Sequence, residues 1–174
     1  MTKKKEADSI FSSVSEEYNR LKSYIDKNIK NKPSVFLGLP WKDTWFISPG
    51  NSYISRLISD AGGMYLWKDT KSEISMPFGI ENVYVRAINA DYWLNTSSVN
   101  NRNEITAVDI RLGELPSFKN GNIYNNNNRV TLRGGNDYWE SGSINPQIIL
   151  KDIASILHPG LFPDYKLYFY KKIE

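Results

Sequence analysis

The side chains best suited to noncovalent chemistry are aromatic residues in two polar stretches of the chain. Trp41 and Trp45 stand close together in one stretch, and Tyr138 and Trp139 are adjacent in another. Aromatic faces stack on flat or apolar ligands with little loss of conformational entropy. The same side chains could instead close the protein's own core, and the sequence leaves both interpretations open for each of them.

Cationic side chains accompany the aromatic residues. Lys42 lies beside Trp41, and Arg129 and Arg133 precede Tyr138. A guanidinium or ammonium group could neutralise a carboxylate or phosphate of a ligand. The residue types therefore predict a ligand site made from Trp41, Lys42, Trp45, Arg129, Tyr138 and Trp139.

Signals for catalysis are weak. The chain has one histidine, His158, and no cysteine, so a histidine zinc site, a Ser–His relay or a cysteine nucleophile is not expected. A favourable charge at the end of a helix is the simpler explanation of His158. Gly134-Gly135 lacks the third glycine of a dinucleotide-binding loop, and no nucleophile elbow or phosphate loop occurs. We predict no catalytic residue, no metal site, no cofactor and no enzyme.

The composition is that of one globular domain. The 174 residues include 40% hydrophobic and 24% charged residues, which is enough for a real core. The net charge of +3 is too small and too evenly spread to predict a nucleic-acid partner. No apolar run approaches the length of a membrane span, and no signal peptide is visible. The protein is therefore either cytoplasmic or represented by a sequence that begins after its export signal.

Periodic apolar residues predict the elements that must position these side chains. A first helix over residues 8–31 has an apolar stripe at Ile10, Val14, Tyr18, Leu21, Ile25 and Ile29. Strand patterns follow at residues 34–38, 64–67, 90–95 and 123–125, with an edge strand at 166–170. Helices are predicted after Asn51 and over residues 78–88, 104–112 and 147–157, the last signalled by Asn145 and Pro146.

This alternation predicts an α/β fold: a three-layer lobe with a mainly parallel central sheet flanked by helices. In such sheets, ligands bind beyond the carboxyl ends of the strands. We therefore expect the functional residues in the loops 39–50, 95–103 and 126–145.

The segment from Gly134 to Gly142, followed by Asn145-Pro146 and a helix, resembles the C-terminal lobe of substrate-binding proteins of ABC importers. The resemblance is to the subgroup for iron-siderophore, haem and cobalamin-type ligands, and the stretch 157–164 resembles versions from Bacteroidetes-type bacteria. Supporting stretches are 50–63, 89–93 and 118–125, so the likeness extends over most of the chain from Pro33. The Asn125–Asn128 run and Trp41 depart from better-known members, so the ligand's identity is not carried over.

The resemblance implies one half of a two-lobed binding protein. Residues 1–32 would be the end of an interlobe helix and residues 33–174 the C-terminal α/β lobe, with the N-terminal lobe absent. The implied protein is monomeric, lies in the periplasm or cell envelope, and delivers a metal-chelate or tetrapyrrole-type ligand to ABC permease subunits. It would meet the membrane only through the permease or through a lipid anchor outside this chain.

The resemblance also implies a role for Glu140. Each lobe in this family presents a surface glutamate that pairs with arginines of the permease, and Glu140 matches the C-lobe position. An ordinary solvated glutamate is the alternative. A non-catalytic protein-interaction module of the same fold remains a second hypothesis for the whole chain. A metal-cluster enzyme is a third, disfavoured by the absence of cysteine and the single histidine.

Overall fold

The computed structural model describes residues 3–174, with side chains from Lys4 onward. The helices are α1 (Lys3–Asn28), α2 (Tyr53–Asp60), α3 (Ile80–Ala87), α4 (Arg102–Val108), α5 (Pro116–Lys119) and α6 (Pro146–Leu157). The strands are β1 (Ser34–Leu37), β2 (Thr44–Ile47), β3 (Met64–Tyr65), β4 (Met76–Gly79), β5 (Tyr92–Leu94), β6 (Ile123–Asn125) and β7 (Lys171–Lys172). Short 3₁₀ helices occupy Ile110–Glu114 and Ser141–Ile144. None of the helices within residues 3–174 is both long and apolar enough to cross a bilayer.

A mostly parallel sheet forms the centre of the structure. Its strand order is β3-β1-β5-β6-β7; the first four strands are parallel, and β7 runs antiparallel to β6 at one edge. All four residues of β1 are buried, as expected for a strand that is covered on both faces. The predicted α/β class with a parallel sheet flanked by helices is confirmed.

A second, two-stranded sheet was not predicted. β2 lies inside the expected loop 39–50 and pairs antiparallel with β4, whose residues were partly assigned to the helix 78–88. Trp45 and Ile47 are buried whereas Phe46 between them is exposed, which is the two-residue alternation of a half-covered strand. Because β4 continues through Gly79, α3 begins only at Ile80.

The ends of two helices also differ from the prediction. Ser52, not Asn51, caps α2, and its hydroxyl accepts a hydrogen bond from the Ser55 N–H. α6 begins at Pro146 as predicted and ends at Leu157. The ring of His158 then lies 3.3 Å from the Gly62 carbonyl oxygen. Burial lowers the pKa of His158, so a favourable positive charge at the helix end does not explain this residue.

The long first helix packs on the lobe through its second half. Ile25 is fully buried, and both Tyr18 and Lys22 donate hydrogen bonds to Asp60 at the end of α2. The predicted apolar stripe does not pack along its whole length, because Ile10 is exposed, as is the adjacent Phe11. Packing of α1 on the core therefore begins near Tyr18.

The last residues of the chain are held by one buried carboxylate on α6. Asp152 accepts hydrogen bonds from the Tyr165 hydroxyl at 2.8 Å and from three successive backbone N–H groups, those of Tyr168, Phe169 and Tyr170 at 2.9, 2.6 and 3.1 Å. Burial raises the pKa of Asp152, although the hydrogen bonds act in the opposite direction. Because these N–H groups are bonded to Asp152, they cannot pair with a neighbouring strand. The edge strand that was predicted at 166–170 therefore begins only at Lys171.

We expect Asp152→Asn to lower the free energy of unfolding by about 3 kcal/mol. In the variant an –NH₂ group replaces one carboxylate oxygen, so the donors that faced that oxygen lose their acceptor. Urea unfolding followed by circular dichroism measures this value. Asp164→Asn is the control, because Asp164 is an exposed carboxylate on the same segment. Equal stability of the two variants would contradict the role given to Asp152.

Candidate ligand-binding site

A groove of about 920 Å³ lies at the carboxyl ends of β1, β5 and β6. All three loops expected from the sequence contribute to it. Its lining residues are Leu37, Gly38, Phe46, Ser48, Ser52, Tyr53, Ile54, Asn95, Ser97, Ser98, Asn100, Asn126, Asn127, Val130, Gly134, Asn136, Tyr138 and Trp139.

Two buried tryptophans hold the start of the first loop. Trp45 Nε1 donates to the Leu37 carbonyl at 3.0 Å, and Trp93 Nε1 donates to the Gly38 carbonyl at 2.7 Å. Gly38 has a φ of +81°, and a Cβ there would lie 3.3 Å from Trp45 Nε1. Glycine is required at this turn because of both the backbone conformation and the close indole.

The asparagine run that begins at the last residue of β6 ties the second and third loops together. Asn125 Nδ2 donates to the carbonyls of Ser97 and Val99 at 2.8 and 3.0 Å. Asn127 Nδ2 donates to the same Val99 carbonyl at 3.2 Å. Asn128 Nδ2 reaches the C-terminal segment, where it donates to the Tyr168 carbonyl at 3.0 Å. The run is therefore a polar frame for the groove.

The backbone after β5 adopts an unusual conformation where it lines the groove. Asn95 and Ser97 have φ values of +58° and +60°, in the left-handed region that side chains other than glycine rarely adopt. Asn95 is held there in part by the Tyr170 hydroxyl, which donates to its Oδ1 at 2.7 Å. Such conformations concentrate at functional sites, where the surrounding structure maintains them.

Tyr138 and Trp139, both expected to contact ligand, line the groove together. Their rings meet edge to face with centroids 4.8 Å apart. Tyr138 is only 4% exposed and also packs edge to face on Phe169 and Tyr170. Burial raises the pKa of its hydroxyl to about 12. Trp139 is 69% exposed, so of these two rings it is the one that a ligand could cover.

Trp45 is a correction to the predicted site. Its side chain is fully buried, and its ring centroid lies 6.1 Å from those of both Phe36 and Trp93. The two-residue alternation of β2 turns it inward. Trp45 therefore supports the groove from beneath and presents no surface to a ligand.

Two other predicted residues, Trp41 and Lys42, lie apart from the groove lining. Backbone hydrogen bonds join Trp41 and Thr44 in both directions, so Lys42 sits at the tip of a tight turn, with a φ of +53°. Trp41 is 72% exposed. Neither side chain is among the groove-lining residues.

Arg129 is engaged by its neighbours. Its Nε donates to Asp137 at 2.8 Å, and its guanidinium lies 4.3 Å from the centre of the Tyr168 ring. The hydrogen bond from Arg129 lowers the pKa of Asp137. The guanidinium that was expected to meet an anionic ligand is thus paired with a carboxylate of the same loop and does not line the groove.

Glu140 is exposed immediately before the 3₁₀ helix Ser141–Ile144. A Cβ at Gly135 would lie 3.2 Å from Glu140 Oε1, so glycine leaves room for the carboxylate against this turn. The Ser143 hydroxyl donates to the Glu140 backbone carbonyl at 2.7 Å. Glu140 therefore follows the groove-lining Trp139 directly but is not itself part of the lining.

Sequence reasoning missed the polar residues of the groove. Asn95, Ser97, Asn126, Asn127 and Asn136 line it, although only aromatic and charged residues were selected as candidates. Their position directly after predicted parallel strands, or in the loop that follows, was the available signal.

The placement of the tryptophans predicts a large difference between two truncations. Trp45→Ala should lower the free energy of unfolding by about 3–5 kcal/mol, because it opens a cavity in the core. Trp41→Ala, the matched exposed control, should change it by about 0.5 kcal/mol or less. Urea unfolding measures both values, and a Trp45→Ala variant as stable as Trp41→Ala would show that the core placement is wrong.

Comparisons with known proteins agree with this architecture. No protein-family model matches the sequence. An uncharacterised lipoprotein of Methanocaldococcus jannaschii is 27% identical over 146 residues, which cover 82% of this chain and 33% of that protein. The chain thus spans about a third of this relative.

Solved structures with the same fold are solute-binding proteins. A periplasmic solute-binding protein of Veillonella parvula has a TM-score of 0.70 and 18% identity, covering 94% of this chain and 47% of that one. A periplasmic heme-binding protein of Roseiflexus has a TM-score of 0.64 and 16% identity, covering 88% and 56%. The chain spans about half of each. It therefore shares the α/β fold of about half of each of these solute-binding proteins.

Proposed function

We propose that this chain is the ligand-binding C-terminal lobe of an extracytoplasmic substrate-binding protein that serves an ABC importer and performs no catalysis. The observation that carries the proposal is the groove at the carboxyl ends of β1, β5 and β6, with its exposed Trp139 and amide-rich floor. The lipoprotein relative and the periplasmic neighbours support a location in the cell envelope.

We further propose that residues 1–32 are the end of an interlobe helix and that residues 33–174 form the lobe. The exposed start of α1 supports this division. Ile10 and Phe11 border an apolar groove of about 690 Å³ together with Tyr53 and Ile144. A second lobe of the same protein, packed against this surface, would bury these side chains.

The ligand is proposed to be a metal chelate or a tetrapyrrole-type molecule. Neighbours of the same fold include the Roseiflexus heme-binding protein and a Helicobacter pylori protein with Ni(II) bound. Tyr138 and Trp139 are the proposed aromatic wall. Trp41 and Lys42 could reach only a ligand that extends beyond the groove, and Arg129 only after leaving Asp137.

We expect this chain alone to bind such ligands with a Kd weaker than about 1 µM, because one lobe covers a ligand from one side only. Tryptophan fluorescence during titration with haemin, cyanocobalamin and ferric siderophores measures the affinity. Submicromolar binding by this lobe alone would contradict the proposal that capture requires two lobes.

We propose Glu140 as the docking residue for the permease. Its exposed carboxylate stands beside a turn braced by short backbone hydrogen bonds, including that from the Thr131 N–H to the Gly135 carbonyl at 2.8 Å. A charge fixed on such a surface steers association with an oppositely charged partner more than it adds affinity.

Glu140→Ala in the two-lobed protein should slow association with the permease by about tenfold at low salt, with a smaller effect at high salt. Surface plasmon resonance with permease in nanodiscs measures the association rate. Glu73→Ala, which removes an exposed glutamate elsewhere, is the control and should leave the rate unchanged. Unchanged docking of the Glu140 variant would favour the protein-interaction module over the importer.

A further inference from the structure

We propose that the groove receives a part of the ligand that has no net charge and that carries amide or hydroxyl groups beside an apolar face. This inference deepens the proposed function and rests on it. It concerns which ligand chemistry the lobe selects, and it differs from the anion-neutralising site that the sequence suggested.

The lining itself is uncharged. In the part of the chain that the structure describes, none of the groove-lining residues is Asp, Glu, Lys, Arg or His. A carboxylate or catecholate moved from water into this groove would lose hydration without meeting a counter-charge on the lining. The lining side chains therefore offer no charge that would compensate an anionic group for its lost hydration.

Three charged side chains near the groove, Arg129, Lys171 and Glu104, are already engaged. Arg129 is held by Asp137 at 2.8 Å. Lys171 and Glu104 both contact Asn100, a lining residue: Lys171 Nζ donates to its Oδ1 at 2.9 Å, and Glu104 accepts from its backbone N–H at 2.9 Å. A cation and an anion on the same asparagine offset each other, so they give the groove little net potential.

The lining combines two kinds of chemistry. Phe46, Tyr53 and Trp139 are each more than half exposed and give it apolar surface. Ser97 and Ser98 add exposed hydroxyls from the loop after β5. Hydroxyl and amide side chains both donate and accept hydrogen bonds, so they match ligand groups that do the same, whereas a carboxylate only accepts.

Two buried amides below this surface have unused hydrogen-bonding capacity. Asn126 and Asn127 are 4% and 7% exposed, and both line the groove. Within residues 3–174, the donor Asn126 Nδ2 and the acceptor Asn127 Oδ1 make no direct hydrogen bond, although the Tyr138 hydroxyl is close enough to Asn126 for the amide to act on its pKa. Buried polar groups are ordinarily satisfied, so one unused donor and one unused acceptor in adjacent residues point to a partner of mixed donor–acceptor character.

The test compares neutral with anionic probes on this chain. The neutral probes are gallium desferrichrome and cyanocobalamin, each at millimolar concentration. Neither carries a net charge, both have amide-rich peripheries, and both are diamagnetic. Gallium enterobactin and gallium protoporphyrin carry anionic groups. In ¹⁵N–¹H NMR spectra, we expect the neutral probes to shift the side-chain amide signals of Asn100, Asn126 and Asn127 and the indole signal of Trp139. The anionic probes should leave them unshifted at the same concentration.

Two matched variants differ in whether they add one positive charge to the groove lining. Ser98 is exposed on the lining, so Ser98→Lys and Ser98→Gln add side chains of similar length that differ in charge. Relative to Ser98→Gln, Ser98→Lys should bind the anionic probes about tenfold more tightly and the neutral probes within about twofold.

The outcomes separate the two proposals. Groove shifts with anionic probes alone, in the unaltered chain, would overturn the inference while leaving the binding function intact. Shifts with none of the probes would count against both. Shifts from a neutral probe that are lost in Ser98→Lys but kept in Ser98→Gln would also overturn the inference, because binding of an uncharged group should not depend on the added charge.

Discussion

Parallel pairing of β1 with β5 and of β5 with β6 brings the ends of three strands to one edge of the sheet. The loops that leave this edge must satisfy their own backbone polar groups, because the ladder no longer does so. The side chains of Trp45, Trp93 and Asn125 supply those hydrogen bonds. The groove thus follows from the way the loops at the strand ends are hydrogen-bonded, by indole and amide side chains.

A second chain of contacts connects the far end of the sequence with the same edge. Asp152 on α6 holds the backbone of Tyr168–Tyr170. The Tyr170 hydroxyl in turn holds Asn95, which is in a left-handed conformation and lines the groove. A buried carboxylate with four donors is costly to form and costly to disturb, so the last helix, the C-terminal segment and the groove floor are coupled.

The sequence predicted the frame of the fold better than its details. β6 and the start of α6 were predicted where they occur, because short apolar runs and Pro at a first helical turn are strong local signals. β2 and β4 were missed, since their pairing joins segments about thirty residues apart, and nothing local distinguishes such a pair from a loop.

The site was predicted in its location and only partly in its residues. Strand ends were the right place to look, and Tyr138 and Trp139 line the groove. Trp45 points inward because side chains alternate along β2. Arg129 pairs with Asp137, eight residues away, and this contact is seen only in the folded loop. The asparagines were passed over because one amide side chain can support a loop or face a ligand, and composition does not separate these roles.

The central claim is that the strand-end groove is the ligand-binding face of this lobe. Filling the groove tests it most directly. Saturation-transfer NMR with cyanocobalamin and gallium desferrichrome should compare the unaltered chain with Ser98→Trp, which places a large ring on the lining, and Asp164→Trp, which places one on an exposed carboxylate position outside it. Transfer to at least one probe that persists in Asp164→Trp and is lost in Ser98→Trp is the predicted result. Transfer that is equal in all three proteins would contradict the claim.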